Sequence, residues 1–139
     1  MIKADNLTKR FQGVTAVDHI HAEIQDGTVF GLIGTNGAGK STFLRMAAGI
    51  LKPDEGTITL DGEAVFEDIR VKARCFYIPD EPYFLGNGTP DDMKTFYQGI
   101  YPNFDTDRFG KLLKSFELDG RRKIQTFSKG MKKQLAVLL

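Results

Sequence analysis

One cysteine in 139 residues leaves it nothing to pair with, so an internal disulfide is excluded and a reducing cytoplasm fits. Cys75 stands in the apolar run Arg74-Cys75-Phe76-Tyr77-Ile78, which predicts a buried, inert thiol in a strand. Net charge is equally scarce. Nineteen Lys and Arg against 18 Asp and Glu give a formal +1, and so no bulk attraction to nucleic acid or to an anionic membrane. The only two histidines, His19 and His21, share one face of a strand with no third ligand near, so solvated side chains are expected rather than a metal site. No stretch approaches the roughly 20 apolar residues of a transmembrane helix, and the first residues lack a secretory signal pattern. Any membrane role is expected to run through a partner.

Hydrophobic residues at 41% and charged residues at 27% lie near the averages of globular proteins, so a core can form without disulfide or metal. Against that ordinary background one stretch stands out. Gly34-Thr35-Asn36-Gly37-Ala38-Gly39-Lys40-Ser41-Thr42 matches the phosphate-binding pattern G-x-x-x-x-G-K-[ST] in full. Three glycines let the backbone bend until its N–H groups converge on an anion. Lys40 adds a compact positive charge for the β and γ phosphates, and the Ser41 hydroxyl is placed to ligate the accompanying Mg²⁺. The context fits. Thr28 to Ile33 reads as a short buried parallel strand, while Phe43, Leu44, Ala47, Ala48 and Leu51 recur at helical spacing up to Gly49 and Pro53.

Ahead of the loop, Ile2 to Phe11 and Val17 to Ile24 read as a half-exposed antiparallel pair. Behind it, Thr57 to Leu60 alternates, Asp61-Gly62 signals a hairpin, and Glu63 to Val65 returns. Pro79, Pro82, Gly86, Asn87, Gly88 and Pro90 mark a long loop, after which Thr89-Pro90-Asp91-Asp92 offers an N-cap, a first-turn proline and a carboxylate at the third position. Two apolar stripes follow, Met93, Phe96, Tyr97, Ile100 and Tyr101, then Phe109, Leu112, Leu113 and Phe116; both read as core faces, with an aromatic platform open for the first. Arg121-Arg122-Lys123 is too short for a nucleic-acid footprint and reads as a solvated turn. The last residues, Leu135 to Leu139, form an apolar helix without a stop signal, which predicts a fragment of a longer chain.

The order of these features resembles the ATP-binding subunit of ABC transporters. Phe127-Ser128-Lys129-Gly130-Met131 is similar to the family signature L-S-G-G-Q, with lysine for its first glycine. The fold so implied is α/β: a P-loop NTPase, a partial ABC-type ATPase core with an N-terminal antiparallel β subdomain and a helical subdomain, divided as residues 1–88 and 89–139. The resemblance implies ATP and Mg²⁺ as ligands, with Phe11 and Ala16 against the adenine and Asn36, Gly37, Ala38, Gly39, Lys40, Ser41 and Thr42 on the phosphates. Ordinary strand-end packing stays open for Phe11. It further implies catalytic parts for Lys40, Asp80, Ser128 and Gly130, and metal contacts for Ser41 and Asp80. Implied partners are a second ATP-binding subunit in an ATP-dependent dimer and transmembrane subunits, with no nucleic acid, at the inner face of the cell membrane.

Two departures accompany the resemblance. Tyr77-Ile78-Pro79-Asp80-Glu81-Pro82 is similar to the family's Q-loop with aspartate for glutamine. Asp80 either serves the cation or caps its own turn. Lys129 either neutralises phosphate charge across a dimer or points to solvent. The matched motifs cover the first half or more of the family's domain, and its Walker B carboxylates, D-loop and switch histidine have no counterpart among these residues. Hydrolysis is therefore expected of a longer parent rather than of this fragment. Nucleotide binding without turnover and a soluble ABC-type ATPase of translation or DNA repair stay open as alternatives.

Overall fold

Ile2–Phe11 (β1) and Val14–Ile24 (β2) form the antiparallel pair that their alternation predicts, running from Ile2 opposite Ile24 to Phe11 opposite Val14. They open the first of two units, Met1–Tyr77 and Ile78–Leu139, in the computed structural model, which describes every residue from Met1 to Leu139. Lys40–Ala47 (α1) follows the glycine-rich loop. Glu55–Leu60 (β3) then pairs antiparallel with the free side of β1, and the short strand Glu63–Ala64 (β4) completes a sheet in the order β2-β1-β3-β4. Between β3 and β4, Asp61 and Gly62 hold φ of 51° and 83°, the paired left-handed geometry that a two-residue hairpin needs and Asp-Gly tolerates.

The sheet and α1 bury each other. Ala4, Leu7, Val17 and Ile58 meet Phe43 and Met46 in one cluster, with Leu7 and Met46 wholly excluded from solvent. Each such side chain contributes about 1.5–3 kcal/mol by leaving water. The helix stops where the sequence signals, with the Gly49 N–H donating to the Met46 carbonyl and the Ile50 N–H to the Arg45 carbonyl, a Schellman ending. Ile69–Lys72 (α2) is a single turn capped by the Asp68 carboxylate, which accepts from the Arg70 and Val71 N–H groups.

Two expected strands are absent. Thr28 to Ile33 and Cys75 to Ile78 run without regular structure, and neither joins the sheet. A parallel strand draws its ladder bonds from neighbours on both sides, and no segment of this chain pairs with either run. Val29 and Ile33 consequently lie in solvent, and Cys75 is half-buried rather than buried.

The second unit is helical: Pro90–Ile100 (α3), Thr106–Ser115 (α4), a 3-10 turn at Ile124–Thr126 and Lys129–Leu138 (α5). Thr89 and Asp92 form the full capping box, and Asp105 caps α4 through the Arg108 N–H. Met93, Phe109, Leu113, Leu118, Ile124, Phe127, Leu135 and Leu138 make its core. The expected stripes are only partly inward. Met93 is buried and Tyr97 half-buried, but Phe96, Ile100, Tyr101 and Phe116 are exposed, because apolar stripes this broad outrun the area that the neighbouring elements cover. Tyr97 instead stacks on Tyr101, with ring centres 5.5 Å apart.

Candidate phosphate-binding site

The loop from Gly34 turns into α1 at Lys40 with few internal bonds. The Ala38 N–H donates to the Thr35 carbonyl at 3.2 Å, and Phe43 makes the first helical bond, to the Gly39 carbonyl at 2.9 Å. The N–H groups of Lys40, Ser41 and Thr42 precede that bond and have no carbonyl acceptor, so they face outward at the positive end of the helix. Gly37 and Gly39 take φ of 85° and 83°, and Gly39 serves as the helix N-cap with no side chain to block the approach.

Lys40 is folded back over this loop. Its Nζ donates to the Gly34 carbonyl at 2.7 Å and the Thr35 carbonyl at 2.6 Å, which places the ammonium at the mouth of the loop. An incoming anion would exchange these neutral acceptors for charged ones, which hold an ammonium more strongly. Free amides, one cation held only on neutral carbonyls, and glycines at 37 and 39 make a donor set that fits a polyphosphate.

A cavity of about 400 Å³ opens beside the loop, and its lining includes Gly37, Ala38, Gly39 and Lys40 together with Ala16 and Phe30. Of the residues anticipated from the sequence, Ala16, Gly37, Ala38, Gly39 and Lys40 therefore come together. Asn36, Ser41 and Thr42 continue the same loop and helix start; Ser41 is exposed. Phe11 is outside that lining. Its exposed ring ends β1, with Lys9 Nζ 5.6 Å from the ring centre.

Ion pairs fasten the strand end that carries Phe11. Arg10 Nη1 bonds Glu55 Oε1 at 2.6 Å, and this partner raises the guanidinium pKa. Asp54 accepts from Lys9 Nζ at 2.8 Å and from the Arg10 N–H at 2.6 Å; the Lys9 bond first and the Arg10 N–H second hold its carboxyl below the usual value.

Asp80, Ser128 and Gly130 belong to the second unit. The Asp80 carboxylate is almost fully exposed, 4.0 Å from Lys133 Nζ. Ser128 is the N-cap of α5, its Oγ accepting from the Met131 N–H at 3.2 Å, so that the Lys129 and Gly130 N–H groups stay free. Lys129 is exposed. No three His, Cys, Asp or Glu side chains gather to hold a metal ion, and the two histidines pair with carboxylates instead, His19 with Asp18 and His21 with Asp5. A cation here would draw on Ser41 and on the phosphate oxygens themselves. The packing of Gly39 on Ala16 escaped the sequence reading, although a small residue at position 16 was its one visible trace.

Comparison with known proteins agrees along the whole chain. A family model described as ABC transporter matches residues 17–139. The ABC transporter ATP-binding protein YtrB of Bacillus subtilis is 33% identical over 139 residues, all of this chain and 48% of that protein. The bacitracin transport ATP-binding protein BcrA of Bacillus licheniformis is 31% identical over 99% of this chain and 46% of its own length. The chain thus spans about half the length of these relatives. In fold it is similar to a solved ATP-binding subunit of an ABC transporter, with a TM-score of 0.82 and 23% identity over 99% of this chain and 60% of that one. A dimeric ATP-binding cassette in a post-hydrolysis state has a TM-score of 0.75 at 21% identity, over 99% of this chain and 68% of that one.

Proposed function

This chain belongs to the ABC transporter family, and from that premise we propose that it is the nucleotide-binding part of an ATP-binding subunit, holding ATP with Mg²⁺ on the loop from Asn36 to Thr42. The observation that carries this reading is Lys40 poised over the Gly34 and Thr35 carbonyls, beside a row of unpaired helix amides. In the proposal Lys40 and those amides neutralise phosphate charge, while the Ser41 hydroxyl contacts the cation. Phe11 and Ala16 receive the adenine ring. When bound, Mg²⁺ would shield charge between phosphate oxygens.

The remaining assignments rest on motif order. Residues 1–88 would form the nucleotide-binding core and 89–139 the helical part. Ser128 and Gly130, with free amides at the start of α5, would offer donors to the γ-phosphate held by a second subunit, and Asp80 would face the cation. Two such subunits closing on ATP would drive transmembrane subunits from the inner face of the membrane. No helix of this chain is long and apolar enough to cross a membrane itself.

Binding and turnover separate cleanly in an experiment on this chain. Titration calorimetry with ATP and Mg²⁺ is expected to show binding that Lys40→Ala weakens by about tenfold or more, since an ionic hydrogen bond of roughly 1.5–3 kcal/mol is lost. Phosphate release is expected to stay at background. Binding indifferent to Lys40→Ala would refute the assignment of the loop, and sustained Lys40-dependent turnover would refute the division of labour between this part and the rest of the parent.

A further inference from the structure

Five residues ahead of the signature stretch, inside a run that reads from sequence as a solvated turn, one arginine makes two hydrogen bonds to the same residue. Arg122 Nε donates to Thr126 Oγ1 at 2.8 Å, and its Nη2 donates to the Thr126 carbonyl at 2.9 Å. The same guanidinium lies 5.5 Å from the centre of the Phe127 ring, which is buried in the helical core. Thr126 Oγ1 also donates to the Lys123 carbonyl at 2.8 Å, so the hydroxyl both accepts from Arg122 and closes the 3-10 turn. Ser128, the N-cap of α5, follows Phe127 directly in the chain.

We propose that Arg122 is a positioning residue for Ser128: its planar fork grips Thr126 by two atoms and Phe127 by one face, and so sets the backbone from which the Ser128 hydroxyl and the free Lys129 and Gly130 amides project. The neighbouring charges are engaged elsewhere or free of the turn. Lys123 Nζ bonds the Asn87 carbonyl at 2.6 Å, and Arg121 makes no side-chain bond. A lysine at 122 would keep the charge but could not donate at two fixed points in one plane beside the ring. The Phe127 ring is the anchor, since a guanidinium over an aromatic face gains electrostatic attraction that a mere solvated turn would not need. Strain is low, because the cap geometry at Ser128 is ordinary extended backbone, φ −63° and ψ 162°. Arg122 therefore acts by holding the approach in one conformation. Its hold on the turn is independent of ligand, whereas the phosphate contact of Ser128 rests on the function proposed above.

Amide hydrogen exchange on the whole 139-residue chain tests the hold directly, because the Met131 N–H bonds the Ser128 hydroxyl and reports the cap. In Arg122→Ala, exchange at Met131 is expected to run about fivefold faster, as loss of a capping contact implies, while Phe109 and Leu113 in α4 keep their rates. Arg122→Lys is expected to behave like the alanine variant. An unchanged Met131 rate, full rescue by lysine, or an equal acceleration in α4 would each overturn the proposal. A second arm reads the consequence: ATP-driven self-association, followed by sedimentation, should need more ATP in Arg122→Ala although ATP affinity of the separate chain is unchanged. Equal ATP requirement would overturn the link to Ser128. Should the unaltered chain show no ATP-driven association, the dimer reading fails while exchange still decides the part played by Arg122.

Discussion

Gly39 lies so close to Ala16 that a β-carbon on it would stand 2.0 Å from the Ala16 carbonyl oxygen and 3.2 Å from a Val17 methyl. The glycine that opens the phosphate loop to an anion is thus also the point where that loop rests on β2. Both demands fall on one residue at φ 83°, where a side chain is disfavoured even in open space.

Gly39→Ala is accordingly expected to be worse than the loop's exposure suggests. The left-handed conformation alone costs about 1–2 kcal/mol with a β-carbon, and the backbone oxygen cannot yield as a flexible side chain would. Calorimetry should show ATP binding reduced by more than about tenfold, together with a lower unfolding midpoint. Gly37→Ala meets no neighbour within 4 Å and should lose stability less. Equal losses in the two variants would mean that Ala16 gives way.

The acid side of the stability curve should carry the mark of Asp54. Its folded pKa is depressed, first by the Lys9 hydrogen bond and then by the Arg10 N–H, so its contribution is present above the ordinary carboxylate value and lost as pH falls through the lower folded value. Asp68 and Asp92 are depressed too, Asp68 chiefly by Arg70 and Asp92 by the Thr89 N–H, and they add to the same window. Urea midpoints measured from about pH 5 downward, across the usual carboxylate range, should fall more gently in Asp54→Asn than in the parent. Parallel curves would remove Asp54 from the balance.

Asp80 is open to a functional test because nothing buries it. An anionic side chain facing bare ATP phosphates repels them, and a cation between the two reverses the effect. If Asp80 faces the nucleotide, ATP affinity should rise with Mg²⁺ more steeply in the parent than in Asp80→Asn. Identical Mg²⁺ dependence would leave the carboxylate to Lys133 and to its own loop.

What could be read in advance follows the range of the forces involved. The Asp61-Gly62 hairpin, the Thr89 and Asp92 capping box and the Gly49 stop depend on residues within a few positions of each other, and the structure has all three. Thr28 to Ile33 has the apolarity of a strand but forms none, because a strand exists only against a neighbour, and apolarity does not supply one. In the site, the glycines and Lys40 were legible from the spacing that phosphate chemistry demands. The Ala16 contact and the grip of Arg122 were not. The first joins residues 23 positions apart, counting from 16 to 39, and the second depends on where a long side chain turns rather than on which residue stands there.

The capping box at the start of α3 gives the last test, and it separates local from shared stability. Thr89 Oγ1 accepts from the Asp92 N–H at 3.2 Å, and the Asp92 carboxylate accepts from the Thr89 N–H at 2.9 Å. Pro90, fully buried, and the Asp91 N–H bonded to the Gly120 carbonyl at 3.0 Å tie the same turn to the segment after α4. Removing the hydroxyl in Thr89→Ala should cost about 0.5–2 kcal/mol. Were the cap a purely local matter, only the first amides of α3 would exchange faster. Because its turn also holds Gly120, amides from Asp119 to Ile124 should accelerate with them, and exchange confined to α3 would show that the Gly120 contact stands without the cap.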